Sequence, residues 1–179
     1  MACITKLANA IAYDCDTGAT GLVSAMIINK ADIASFDVNT SINVISRISL
    51  VEGATPFKID TVKRSLVVSS ALKVNDGAPN AYTQSATIVY TGVPNAAYRN
   101  MMASLANGSF VIIAKRAGNS SGDTYGLYYG LSATGADSSS HDNGGWTTIT
   151  MATPENVIGE DILTVVQGEY DRLYAAAVG

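Results

Sequence analysis

Along most of the chain, apolar and polar residues alternate with a period of two, the signature of strands that bury one face. Residues 22–28, Leu-Val-Ser-Ala-Met-Ile-Ile, form a nearly continuous apolar run and predict a core strand ahead of the polar pair Asn29-Lys30. From there to about residue 40 no clear period holds, and a long loop is expected. Ile42, Val44, Ser46, Ile48 and Leu50 then alternate with Asn43, Ile45, Arg47 and Ser49. The turn residues Glu52-Gly53-Ala54-Thr55-Pro56 and a return over Phe57 to about Val62 predict a hairpin there. A second hairpin is predicted from 65–74 and 82–90, with turn chemistry at Asn75-Asp76-Gly77. Its core face carries Leu66, Val68, Leu72, Val74, Ala86, Ile88 and Tyr90, and its other face Ser65, Ser69, Ala71, Thr83, Ser85 and Thr87.

Pro94-Asn95 opens a helix over about 95–106, in which Tyr98, Met101, Met102 and Leu105 fall at helical spacing and Asn107-Gly108 supplies the stop. Met101 and Leu105 are expected to pack onto the strands. Ser109 to Arg116, Tyr125 to Ser132 and Trp146 to Ala152 read as further strands, with Ala133 to Gly145 as a Gly/Ser/Asp loop. Leu163, Val165 and Val166 add a terminal strand, which leaves about 170–179 as a C-terminal arm. Eight or so short strands and one short flanking helix predict a mainly β chain, a β-sandwich or β-barrel, in a single domain over 1–179.

Composition changes this picture in one respect. Charged residues make up 15% of the 179 and apolar ones 47%, against roughly 25% charged in ordinary soluble domains. A surface with so few charges is poorly protected from self-association, so coverage by copies of the same chain is expected. The net charge of −4 argues against tight nucleic-acid binding, which requires clustered Lys and Arg. The basic doublets Lys63-Arg64 and Lys115-Arg116 are expected at strand ends. No basic segment with an apolar stretch and small-residue cleavage site precedes the body, so synthesis in the cytoplasm with Cys3 and Cys15 reduced is the expectation. No run of 18 apolar residues occurs, so no membrane-spanning helix is expected.

Chemical motifs are sparse, and an enzyme is not expected. Gly118-Asn119-Ser120-Ser121-Gly122 fits G-x-S-x-G, but a strand rather than a helix is expected after it, so a hairpin turn is the reading for Ser120. His141, the single histidine, lies in a Gly/Ser loop without the rigid setting a general base needs. Asp14 and Asp16 echo the start of a calcium loop, but Ala25 stands where the closing Glu belongs. No catalytic residue, cofactor or metal site is assigned.

The stretch Tyr125-Gly126-Leu127-Tyr128-Tyr129-Gly130-Leu131-Ser132, a Gly/Ser/Asp loop, and Gly144-Gly145-Trp146-Thr147-Thr148-Ile149-Thr150-Met151 together resemble the late part of phage tail tube proteins of the Bacteroidetes type. The opening Met1-Ala2-Cys3-Ile4-Thr5 and Asp14-Cys15 also resemble starts found among such virion proteins. The resemblance implies a β-sandwich closed into rings, commonly hexameric, that stack into a tube passing DNA, with other tail or neck proteins as partners and the virion tail as location. In such a ring the face of Ser65, Ser69, Ala71, Thr83, Ser85 and Thr87 is expected to line the lumen. The 29–40 loop, with Lys30, Asp32, Phe36 and Asp37, and the N-terminal segment are expected to bridge subunits. Alternatives are a capsid decoration, ring or collar protein, or a carbohydrate-binding β-sandwich.

Overall fold

The computed structural model describes residues 21–61, 65–77, 79–90, 95–138, 146–155 and 161–179. Among them run the strands β1 (Leu22–Asn29), β2 (Ile33–Asn39), β3 (Val44–Leu50), β4 (Phe57–Ile59), β5 (Leu66–Lys73) and β6 (Ala81–Tyr90). The helix α1 (Ala96–Asn107) follows, then β7 (Ser109–Arg116), β8 (Gly122–Tyr125), β9 (Leu131–Ser138), β10 (Thr147–Ala152), β11 (Leu163–Val165) and the helix α2 (Gln167–Ala176). The chain is mainly β, as its periodicity predicts, in an open, sandwich-like arrangement.

The two apolar runs of the sequence, 22–28 and 110–114, pair along their whole length as β1 and β7 and form the central layer. Beyond Val23, which is exposed at an irregularity in the pairing, both their faces are covered, which is why they read as continuous rather than alternating. Met26, Ile28, Val111 and Ile113 face one core with Ile45, Ile48, Val165, Tyr170 and Leu173. Ala25, Phe110, Ile112 and Ala114 face a second core with Leu66, Ala86, Ile149 and Met151. On its other side β7 pairs first with β9 and then with β8. The order β2-β3-β11-β8-β7 extends from one half of it and β7-β9-β10-β6-β5 from the other.

Several expectations are corrected. The segment expected as a loop over 29–40 is a short 3-10 turn, Lys30–Asp32, and the strand β2, paired antiparallel with β3. Its Phe36 and Val38 pack on the first core. Residues 57–59 do not pair back with β3; after a turn at Gly53, φ 80°, they pair with β1. The face expected on β3 is broken by a bulge: Arg47 opposes Asp37 while Ile45 opposes Val38, and the skipped Ser46 donates its hydroxyl to Asp37 O at 3.2 Å. The extra residue brings both Ile45 and Ile48 inward.

The aromatic run expected as a strand over 125–132 ends β8 and then turns. Gly126 and Gly130 have φ of 77° and 76°, and Gly130 N donates to Gly126 O at 2.8 Å. The strand resumes as β9, inside the stretch expected as a polar loop. The expected arm over 170–179 is largely the helix α2, with Tyr170 and Leu173 in the first core. The second hairpin forms as predicted, with a register from Leu66 opposite Ile88 to Lys73 opposite Ala81. Its tip runs past the core, so Leu72 and Val74 are exposed. Helix α1 starts where predicted, with Asn95 Oδ1 accepting from Tyr98 N at 2.8 Å.

Candidate assembly surfaces

The residues expected to line a lumen are brought together with one exception. In the β5–β6 register Ser69 opposes Ser85, Ala71 opposes Thr83 and Val67 opposes Thr87. They project away from the inward pairs Leu66–Ile88 and Val68–Ala86. Ser65 precedes β5 and donates its hydroxyl to Asp60 O at 2.6 Å, which ties it to the β4 side instead. Strand β10 widens the face, since Thr150 opposes Thr87 and Ala152 opposes Ser85, and β9 adds Gly135 opposite Thr150. Two of the hydroxyls bond each other, Ser69 Oγ and Ser85 Oγ at 2.7 Å, and Thr150 Oγ1 donates to Gly135 O at 3.1 Å. The result is a broad, nearly uncharged wall, with Lys73 and Asp137 at its margins.

The residues expected to bridge subunits lie on and beside the edge strand β2. Asn29 donates to Asp32 Oδ2 at 2.7 Å, and Asp32 O accepts from Val51 N at 2.8 Å, so the turn holding Lys30 and Asp32 is fastened to the end of β3. Phe36 meets Tyr128 edge to face, with ring centroids 5.3 Å apart. Asp37 sits at the bulge. Among the described residues β2 and β5 are the ends of the strand order. The outer edge of β4 is closed by the chain terminus: Lys58 N donates to Val178 O and Val178 N to Pro56 O, at 2.8 and 3.0 Å.

Helix α2 is locked to β3 by charge. Glu169, 8% exposed, takes the Ile48 amide on Oε1 at 2.8 Å and two bonds from the Arg172 guanidinium at 2.6 and 2.8 Å. Arg172 also donates to Ile48 O at 2.9 Å. Burial pushes the Glu169 carboxyl up, but the bonds from Arg172 and the Ile48 amide together outweigh it and hold the group below the usual carboxylate range. The doublet Lys115-Arg116 is structural at the end of β7. Arg116 pairs with Asp123 at 3.3 Å and donates to the Tyr125 hydroxyl at 3.2 Å, while the Lys115 ammonium stands 5.5 Å from the Tyr170 ring centroid. Burial raises the Tyr125 phenol, against the bond from Arg116. Ser120 lies in the β7–β8 turn, where Ser121 N donates to Asn119 Oδ1 at 3.0 Å. Lys63, Arg64, His141, Cys3, Cys15, Asp14 and Asp16 lie outside the described residues. No helix among the described residues is long and apolar enough to cross a membrane.

One feature has no counterpart in the hydrophobic pattern. Between β1 and β4 on one side and β6 and α1 on the other lies an apolar cleft of about 540 Å³, lined by Ile27, Phe57, Ile59, Ile88, Leu105 and Phe110 among others. A separate hollow of about 400 Å³ is lined by Gly21, Leu22, Thr61, Leu66 and Arg116 among others. The cleft depends on the pairing of β4 with β1, which aims Phe57 and Ile59 at β6. Met101, expected against the strands, stands at the cleft and is 37% exposed, whereas Met102 and Leu105 pack on the second core. No protein-family model, curated protein or solved structure matches the chain.

Proposed function

We propose that this chain is a structural virion protein, a tail tube subunit whose copies close into stacked rings and form a conduit for DNA. The observation that carries the reading is the wall of Ser69, Ala71, Thr83, Ser85 and Thr87 extended by Thr150. Small uncharged side chains offer DNA no cations, so phosphates pass without the salt-dependent attraction that each Lys or Arg would add. The edges β2 and β5, at opposite ends of the strand order, support head-to-tail contact between copies. A heterologous contact of that kind closes into a ring when its rotation fits, and pairing covers both edges.

Electron microscopy of the purified chain at increasing concentration tests this reading. Rings or stacked tubes are expected. Monomers or trimers that bind only preformed shells would replace it with a capsid decoration role.

A further inference from the structure

We propose that the apolar cleft between β1–β4 and β6–α1 is the seat of this chain's own first twenty residues. The chain enters the described body at Gly21, and Gly21 and Leu22 line the smaller hollow. The hollow and the cleft both lie against β1, Leu22 lining the first and Ile27 the second. Reach is ample. From Leu22 to Ile27 is about 17 Å along β1, and the ten residues from Ile11 to Gly21 span up to about 33–36 Å when extended.

The chemistry matches as well. The stretch Leu7-Ala8-Asn9-Ala10-Ile11-Ala12-Tyr13 contains no charged residue. The cleft lining is mostly apolar, with Ile27, Ile59, Ile88, Phe110 and Ile149; its two charged residues are Lys58 and Asp60, and the Lys58 ammonium stands 5.1 Å from the Tyr174 ring centroid. A tethered segment has an effective concentration near a millimolar, which favours the chain's own cleft over a neighbour's. The inference concerns the isolated subunit and does not depend on tube assembly.

The test uses the full chain and its variant Leu7→Asp with Ile11→Asp, both dilute, with N-phenyl-1-naphthylamine as an apolar fluorescent probe. Both substitutions lie outside the described body, and equal melting curves check that it is intact. The variant is expected to bind the probe about tenfold more tightly, because the tethered competitor is lost. A synthetic peptide of residues 1–20 is expected to displace the probe. Equal affinity in the two chains, or a peptide that does not compete, overturns the proposal. Probe affinity in the natural chain that changes with protein dilution would assign the seat to a second copy. A small molecule extracted by solvent from the natural chain would give the cleft another occupant, and either result overturns the proposal.

Discussion

Glu169 accepts the amide hydrogen of Ile48 at 2.8 Å, so a helical side chain stands where a strand would otherwise pair. Strand β11 runs beside β3 only as far as Ile45, and Val166 N still reaches Ile45 O at 3.0 Å. Beyond that point Glu169 and Arg172 take over the amide and the carbonyl of Ile48. A buried backbone pair left by a short strand is thereby satisfied.

Replacing Glu169 with Ala should destabilise the fold by about 1–3 kcal/mol, the cost of stranding a buried donor. Glu169→Gln keeps an acceptor for Ile48 and should lose less. Urea denaturation at neutral pH measures both.

The same carboxylate sets an acid dependence. Its pKa is lower in the folded chain than in the unfolded one, so its stabilisation is complete above the ordinary Glu value of about 4.3. It is lost as pH falls through the lower folded value. The stability gap between the natural chain and Glu169→Gln should therefore hold from neutral pH to about 5 and shrink below about 4. A gap independent of pH would mean that Glu169 acts through packing alone.

Tyr98 joins α1 to β10 through its hydroxyl, 2.6 Å from Thr147 Oγ1. Tyr98→Phe should cost about 0.5–1.5 kcal/mol, one net hydrogen bond. Tyr98→Ala should cost about 3–5 kcal/mol, because a buried ring is removed. Thermal melts followed by near-ultraviolet circular dichroism separate the two.

The turn after β8 requires glycine. Gly126 has φ +77°, and a Cβ there would stand 2.7 Å from Leu131 Cγ and 2.9 Å from Phe110 O. Its amide is also held by Gln84 Oε1 at 2.5 Å. Gly126→Ala should cost more than about 1 kcal/mol, with loss of soluble yield as the first readout.

Arginine at Ser69 and Thr87 tests the proposed conduit. Both positions face outward on the hairpin, so the double variant should fold and assemble. In reconstituted particles DNA ejection should slow and steepen in its salt dependence, by up to about two phosphate contacts per subunit. Unchanged ejection through intact tubes would place this face away from the DNA.

Periodicity along the chain makes the central strands, the second hairpin with its two faces and helix α1 legible. It fails where one residue changes phase or direction. The bulge at Ser46 cannot be read from Ile42–Leu50, because the alternation looks regular on either side of it. The aromatic run at Tyr125 has strand composition, and only the left-handed backbone at Gly126 and Gly130 makes it a turn. The helical spacing of Tyr170, Leu173 and Tyr174 is present in the sequence, but the segment is too short to stand out. Nothing local to Phe57–Ile59 specifies that β1 is its partner. That pairing decides whether the seam between the sheets is filled or open, so the cleft leaves no mark on the pattern of residues.

The parallel pairing of β11 with β3 bears on how the protein is made. In the strand order β2-β3-β11-β8, the β2–β3 pair joins the sheet, among the described residues, through Leu163–Val165. Ile45 and its partner Val165 are separated by about 120 residues, which a ribosome needs roughly 6–24 s to add. Until then the early hairpin is held by its packing on Met26, Ile28, Val111 and Ile113, without the ladder that β11 adds. A product that ends before Leu163 would therefore leave Val44 and Ile45 of β3 without their parallel partner.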